Sequence, residues 1–456
     1  MYDLIVIGGG PGGYAAAIRG AQLGGKVGLI EAAEMGGTCV NRGCIPSKIW
    51  LRAAYLLHCI RSGAEFGIRA SVEAVDLKAI VERKNGVAND IRMGMEALLA
   101  NNGVEVIRGR GVLKSPREVE VEDKVYETRK AILATGSRLD APDIPGLEDV
   151  AMTTDQVLDM TEAPSSVLVW GAGPFEVEMA TLLSAFGSKV WLASPSRRIL
   201  PREDGDTSQR LAQALREQGV EIVSRVELQS VGRSEQGCEC LLSGATERSL
   251  EVERVLIASR KPNTDHLGLE NAEVRLNDDG SIWVNETLES SVGGIYAIGD
   301  VTGGWMFSHV SSSMGVFAAE NAMGEGNKYP FHLIPRGIWT TPEVGAVGLS
   351  EEEAEEKGIE TEVGDFPYAI NGLAMARNEI SGAVKIVSDA RYGEILGVHI
   401  VGANATELVG EAVMAMQLEA TARELARSIR VHPTFSEAVV DAARDAANWA
   451  LYLPKR

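Results

Sequence analysis

Two cysteines and a distant histidine are the residues of this chain best suited to chemistry. Cys39 and Cys44 are separated by four residues, after Gly36-Gly37 and before Ile45-Pro46-Ser47-Lys48. Lys48, Leu51, Ala54, Tyr55 and Cys59 then recur at helical spacing. Pro46 suits a first helical turn, where a missing N–H costs little. Cys44 is therefore expected at a helix N-terminus, where the dipole favours a thiolate. The chemistry this implies is a redox-active disulfide that opens and closes during turnover. A zinc pair is a weaker reading, because no second pair with metal-ligand spacing exists. Cys238 and Cys240 read as one face of a strand, and Cys59 as a buried helix residue. No metal site is expected.

Near the other end stands His432-Pro433-Thr434-Phe435-Ser436-Glu437. Thr434 and Glu437 have the spacing of a capping box, with Thr434 as N-cap and Glu437 at the third helical position. That accounts for the glutamate and leaves the histidine. A histidine beside a disulfide is a natural base, oriented by a carboxylate. The residues alone leave both readings of the segment open.

Such groups need elements to hold them, and the chain repeats one such element. The strand Tyr2–Ile7 runs into Gly8-Gly9-Gly10-Pro11-Gly12-Gly13, then a helix, then a strand that ends at Glu31. Gly8, Gly10 and Gly13 satisfy the dinucleotide fingerprint, and Glu31 is placed to accept ribose hydroxyls. Val167–Trp170 leads in the same way into Gly171-Ala172-Gly173-Pro174-Phe175-Glu176, a helix, and a strand ending at Ser194. Ser194 is as far from Glu176 as Glu31 is from Gly13. Further apolar strands end at Thr135-Gly136 and at Gly299-Asp300, where Asp300 is suited to a flavin ribityl hydroxyl. Two nucleotide units imply two nucleotides, naturally a flavin and a nicotinamide. The acidic run Glu351-Glu352-Glu353 reads as a solvated helix start.

The chain has 456 residues, 45% of them apolar, with a formal net charge of -20. The length calls for several domains, and the charge argues against nucleic acid and anionic membranes as partners. No apolar run reaches the length of a membrane span, and the N-terminus enters a strand without a basic leader. A cytoplasmic protein is expected. The fold class is α/β, with two Rossmann-like dinucleotide-binding domains and a C-terminal α+β dimerisation domain. The expected divisions are 1–146 for FAD, 147–265 for NAD(P), 266–334 for a central domain completing the FAD site, and 335–456 for the interface.

Five motifs together give the chain a family resemblance: Gly36 to Lys48, Ala134 to Ser137, Tyr296 to Val301, Thr340 to Val344, and His432 to Glu437. Over essentially its whole length the sequence resembles the FAD- and NAD(P)-dependent disulfide oxidoreductases. It is most similar to members that reoxidise dihydrolipoyl groups of 2-oxo acid dehydrogenase and glycine cleavage systems. The resemblance implies a homodimer with an active site shared between subunits. It makes Cys39 the interchange thiol that meets substrate and Cys44 the thiol against the flavin. His432 and Glu437 become base and orienter for the other subunit's disulfide, and Lys48 pairs with Glu178 beside the flavin. Gly12, Gly37, Thr38, Thr135 and Gly136 join the FAD-binding set. The implied reaction passes electrons from a dihydrolipoyl group through Cys39–Cys44 and FAD to NAD+.

The second nucleotide unit departs from that pattern. Its third glycine is Glu176, a bulky anion where a helix should pack closely beside pyrophosphate. The ribose-reading acid is replaced by Ser194, followed by Pro195-Ser196-Arg197-Arg198. Loss of the acid together with Arg197 and Arg198 suits a 2′-phosphate, so NADP stands beside NAD as the expected nucleotide. Ser259 stands where the family usually has glycine. The alternatives are an NADPH-dependent reductase of another disulfide, or a partner-binding flavoprotein with an impaired nicotinamide site.

Overall fold

A computed structural model describes residues 1–235 and 237–454 of the chain. Tyr2–Ile7 lies at the centre of a parallel sheet, with Val27–Glu31 and then Glu105–Arg108 on one side. On its other side come Lys124–Leu133 and Ile295–Ala297. A strand covered on both faces reads as an unbroken apolar run, and Leu4 to Ile7 are all buried. Lys124–Leu133 serves two sheets. Its last residues join the parallel sheet, while its polar first half closes an antiparallel meander with Gly111–Ser115 and Glu118–Val121.

The helix Pro11–Gln22 begins at the end of the first strand, with Gly10 as its N-cap. It crosses Ser308–Ala322 at close range, since a side chain on Gly315 would overlap the Gly12 carbonyl. Arg19 also pairs with Glu320 at 2.6 Å. Both helix N-termini therefore face one cleft.

Residues from Ala151 to Pro262 build the same plan again. The parallel order is Glu221–Ser224, Lys189–Ser194, Ser166–Trp170, Arg254–Ile257 and Ala151–Thr153. A second antiparallel meander, of Val226–Ser234, Gly237–Gly244 and Arg248–Val252, flanks it. Cys238 and Cys240 lie buried on one face of that meander. Ser137–Leu139 pairs with Arg260–Pro262 and stitches the two units together.

The last third is a five-stranded antiparallel sheet in the order Arg336–Ile338, Glu343–Gly348, Ile395–Gly402, Ala383–Asp389, Thr361–Pro367. The helices Ala405–Gln417 and Ser436–Ala446 share a core with it.

Two expectations, at Cys59 and at Thr434, need correction, and a third gains partners that the sequence did not show. Cys59 is exposed, because it lies on the outer face of the helix Cys44–Ser62. The run Glu351–Glu353 opens the helix Glu351–Glu356 with Glu351 and Glu353 exposed, as expected, but each residue also has a partner. Glu351 pairs with buried Lys385 at 2.7 Å, Glu352 with Arg198 at 3.0 Å, and Glu353 closes a capping box with Ser350. The capping box at Thr434 is only half made. Glu437 Oε2 accepts the Thr434 N–H at 2.8 Å, but the Thr434 hydroxyl donates to the Val431 carbonyl and Phe435 is the N-cap.

Candidate active site

Cys39 lies in a short helix, Gly37–Asn41, and Cys44 is the first residue of Cys44–Ser62, with Gly43 as N-cap. Gly36 and Gly37 both have positive φ, 95° and 57°, and turn the chain into the first of these helices, while Arg42-Gly43 joins it to the second. The two thiols are half-buried and in mutual hydrogen-bond contact. Cys44 Sγ is also 3.0 Å from Ser308 Oγ, at the start of the helix Ser308–Ala322. The pair is polarised. The Cys39 hydrogen bond, the Ser308 hydroxyl and the Lys48 charge hold Cys44 below the ordinary thiol range, against burial and Glu178. The same contact with Cys44, together with burial, pushes Cys39 up. Its place in the first turn of a helix, against the Ser308 hydroxyl, suits Cys44 to carry the thiolate of the reduced pair. No motif in the sequence marks Ser308. Only the fold brings it across to Cys44.

Lys48 lies one helical turn beyond Cys44. Its Nζ meets Glu178 Oε1 and Oε2 at 3.2 and 3.1 Å and stands 4.0 Å from the centre of the Trp339 ring. Glu178 is buried and also accepts the Trp339 backbone N–H at 3.0 Å. One carboxylate therefore ties together residues of the two nucleotide units and of the C-terminal unit.

These groups form one end of a cleft of about 610 Å³. It runs past the Ser308 helix, Ala134–Ser137 and Asp300 to Gly10–Gly12 and Glu31. Gly37 and Thr38 line it as well. Gly8 and Gly13 are packed against backbone, since side chains there would overlap the Ala134 and Gly8 carbonyl oxygens. The turn between them borders the cleft at Gly10–Gly12, the surface that a pyrophosphate needs. Asp300 Oδ2 accepts from the Ser137 hydroxyl at 2.6 Å, and burial raises its pKa. Such a carboxyl is matched to a sugar or ribityl hydroxyl. Glu31 caps its own turn, taking N–H groups of Gly9 and Ala33 at 2.6 and 2.7 Å. The residues present fit FAD.

The second nucleotide unit differs at its turn. Gly171 has a φ of 128°, matching the 111° of Gly8. Glu176, however, folds its side chain back over the turn and is only 3% exposed. A Cβ on Gly173 would lie 2.8 Å from Glu176 Oε2. At the far end of the unit, Ser194 is buried and Arg197 exposed. Arg198 is held by Glu352 and by the Glu203 carbonyl at 3.0 and 2.8 Å, so it is not the free phosphate ligand expected of it.

His432 Nδ1 is 2.8 Å from Glu437 Oε1 on an exposed corner of the C-terminal unit. Arg430 braces the approach through Glu411 and Ser436, at 2.8 and 2.7 Å. His432 is 77% exposed at its side chain and does not line the cleft that holds Cys39 and Cys44. Exposed Ile429 and Val431 flank it. Glu437 thus performs both tasks that the sequence left open, holding a backbone N–H and a ring nitrogen. Among the described residues no cluster suited to a metal ion is found, and no helix is long and apolar enough to cross a membrane.

Residues 2–315 match the model of the pyridine nucleotide-disulphide oxidoreductases, and residues 334–443 match the dimerisation domain of the same family. The chain belongs to that family. It is an enzyme, a flavin-dependent dithiol–disulfide oxidoreductase working with FAD and a pyridine nucleotide. Among similar proteins, the dihydrolipoyl dehydrogenase of Thermus scotoductus is 39% identical, over 100% of this chain and 99% of its own. That of Bacillus subtilis is 34% identical over 99% of each. Among solved structures, LpdA of Mycobacterium tuberculosis superposes with a TM-score of 0.88 at 27% identity, covering 97% of this chain and 99% of its own. The HOCl-induced flavoprotein disulfide reductase RclA of Escherichia coli does so with 0.85 at 29%, covering 96% and 99%.

Proposed function

We propose that the chain oxidises protein-bound dihydrolipoyl groups as a homodimer in the cytoplasm. The lipoyl-bearing partners are those of 2-oxo acid dehydrogenase or glycine cleavage systems. The observation that carries this reading is the polarised Cys39–Cys44 pair at one end of a dinucleotide cleft. Its outer thiol is left for a substrate, and a His–Glu pair is presented elsewhere on the surface. In the dimer, His432 of the partner subunit faces Cys39, with Glu437 holding its ring. The exposed Ile429 and Val431 beside it support burial against a second copy.

The chemistry follows from the thiols. His432 Nε2 takes a proton from one substrate thiol, while Glu437 on Nδ1 steadies the charged ring. The substrate thiolate attacks Cys39 Sγ, forming a mixed disulfide and breaking the Cys39–Cys44 bond, and Cys44 leaves as thiolate. The second substrate sulfur then attacks the first. The substrate closes its own disulfide, Cys39 departs and takes a proton, and two electrons now reside on the cysteine pair. Ser308 and Lys48 stabilise the Cys44 thiolate throughout. Bound in the cleft, FAD supplies the two-electron acceptor that such a dithiol requires.

The test is an anaerobic titration of the holoenzyme with dihydrolipoamide, followed by turnover with NAD+ and NADP+ side by side. The expected result is stoichiometric reduction by dihydrolipoamide. Failure of dihydrolipoamide to reduce an enzyme that another dithiol does reduce overturns the substrate assignment.

A further inference from the structure

The two departures from the family pattern in the second nucleotide unit, Glu176 and Ser259, lie far apart in sequence, yet they are one feature in space. Glu176 Oε1 accepts the Ser259 hydroxyl at 3.0 Å. The same carboxyl group accepts the backbone N–H groups of Gly173 and of Glu176 itself. These amides open the helix Pro174–Ala185, the place where a dinucleotide-binding turn offers its N–H groups to a pyrophosphate. In the first unit the corresponding turn borders an open cleft at Gly10–Gly12. In the second, the side chain of Glu176 runs across it. A Cβ on Gly171 would lie 2.7 Å from Glu176 Cγ, and only 3% of Glu176 is exposed.

We propose that the Glu176 carboxylate is an internal stand-in for pyrophosphate, held in place by Ser259, and that a nicotinamide nucleotide binds only by displacing it. The nucleotide must therefore compete with an anion already hydrogen-bonded to the chain's own phosphate donors. A carboxylate left in the turn beside an incoming phosphate adds like-charge repulsion in a poorly solvated place. Burial raises the Glu176 pKa, which is the electrostatic cost of seating the group there. The nucleotide affinity of the resting enzyme is set by this gate, and its selectivity rests on whatever binding energy the adenosine end contributes towards opening it.

This inference rests on reading the second unit as the nicotinamide domain, and it is separable from the identity of the thiol substrate. The probe is ADP-ribose, which carries the pyrophosphate and adenosine but no redox ring. Binding to the FAD-loaded protein is measured by calorimetry for the wild type, Glu176→Ala and Glu176→Gln. Alanine keeps the Cβ that the packing already accommodates and removes only the carboxylate. The visible flavin spectrum confirms that each variant is folded. Glu176→Ala is expected to bind ADP-ribose roughly tenfold more tightly or better, a modest fraction of one buried like-charge contact. Glu176→Gln fills the same space without charge and is expected to gain less. Should the alanine variant fail to fold, a gain in the glutamine variant still supports the gate. Equal affinity in wild type and both variants overturns the proposal. So does undetectable binding in all three, which means that something other than Glu176 closes the turn. A crystal of the wild type with ADP-ribose bound and Glu176 still against Gly173 overturns it as well. Reduction by dihydrolipoamide is scored separately and tests the substrate reading alone.

Discussion

Replacing Ser308 with alanine should raise the pKa of the Cys44 thiol. Ser308 Oγ stands 3.0 Å from Cys44 Sγ, and its hydrogen bond is one of the influences that hold that thiol down. A hydroxyl donating to a thiolate stabilises the charged form, so removing it favours the neutral thiol. A hydrogen bond to a charged group is worth about 1.5–3 kcal/mol net, and one pKa unit is about 1.4 kcal/mol. The expected shift is therefore about one to two units upward. Cys39 and Lys48 continue to act, so the group does not return fully to an ordinary thiol. The assay is alkylation of the dithiol-reduced enzyme by iodoacetamide across a pH series, with Cys44 and Cys39 resolved by peptide mass spectrometry. The midpoint at Cys44 is the readout. Rates at a single pH mislead, because a less acidic thiolate is also a better nucleophile. A midpoint that stays in place or falls refutes the reasoning, since it means that Cys44 S–H donates to Ser308 and not the reverse.

The other predictions concern the base, the cross-domain ion pair and the acid limit of the fold. His432→Gln should lower kcat/KM for dihydrolipoamide by about 10²–10⁴, with unfolding little changed. Glu437→Gln should cost less, because an amide oxygen still reaches Nδ1; steady-state kinetics with both variants checks the order. Lys48→Met should destabilise the fold by about 2–4 kcal/mol in urea, at the low end for a broken buried pair. Lys48 is 29% exposed, and Trp339 N–H continues to serve the buried Glu178. His399 is fully enclosed, donates Nε2–H to the Leu349 carbonyl at 2.8 Å, and is pushed down to about 4 by burial. The unfolded chain protonates it near pH 6.5 while the native protein does not. Stability should thus fall as pH drops from about 6.5 to 4, by up to ~3 kcal/mol. His399→Gln should flatten this slope in urea unfolding at several pH values; an unchanged slope rules out His399 as its source.

The repeated strand–glycine turn–helix pattern was legible because local rules write it. Buried parallel strands need unbroken apolar runs, and the turn at Gly8 needs a positive φ. Cys44 at a helix start followed from Pro46 and the apolar spacing behind it. The Lys48–Glu178 contact was expected only through the family resemblance, since nothing local links residues so far apart in sequence. Cys59 was misplaced because helical spacing tells which residues share a face but not which neighbour covers it. The partners of the acidic run at Glu351 were hidden for the same reason: Lys385 and Arg198 reach it from other elements.

What the sequence determined by itself is the set of reactive groups and the units that carry them. The cysteine pair, the two glycine turns and the His–Glu segment each depend on spacings of a few residues along the chain. Tertiary structure decided how those groups are tuned. Ser308 polarises Cys44 from a helix more than 250 residues away. Glu437 serves both a backbone N–H and His432, two readings that the chain alone left open. Glu176 and Ser259, two separate oddities in the sequence, prove to be a single hydrogen-bonded plug. The reason is physical: hydrogen bonds and electrostatic shifts act over a few ångströms in space, and only folding determines which distant residues come that close.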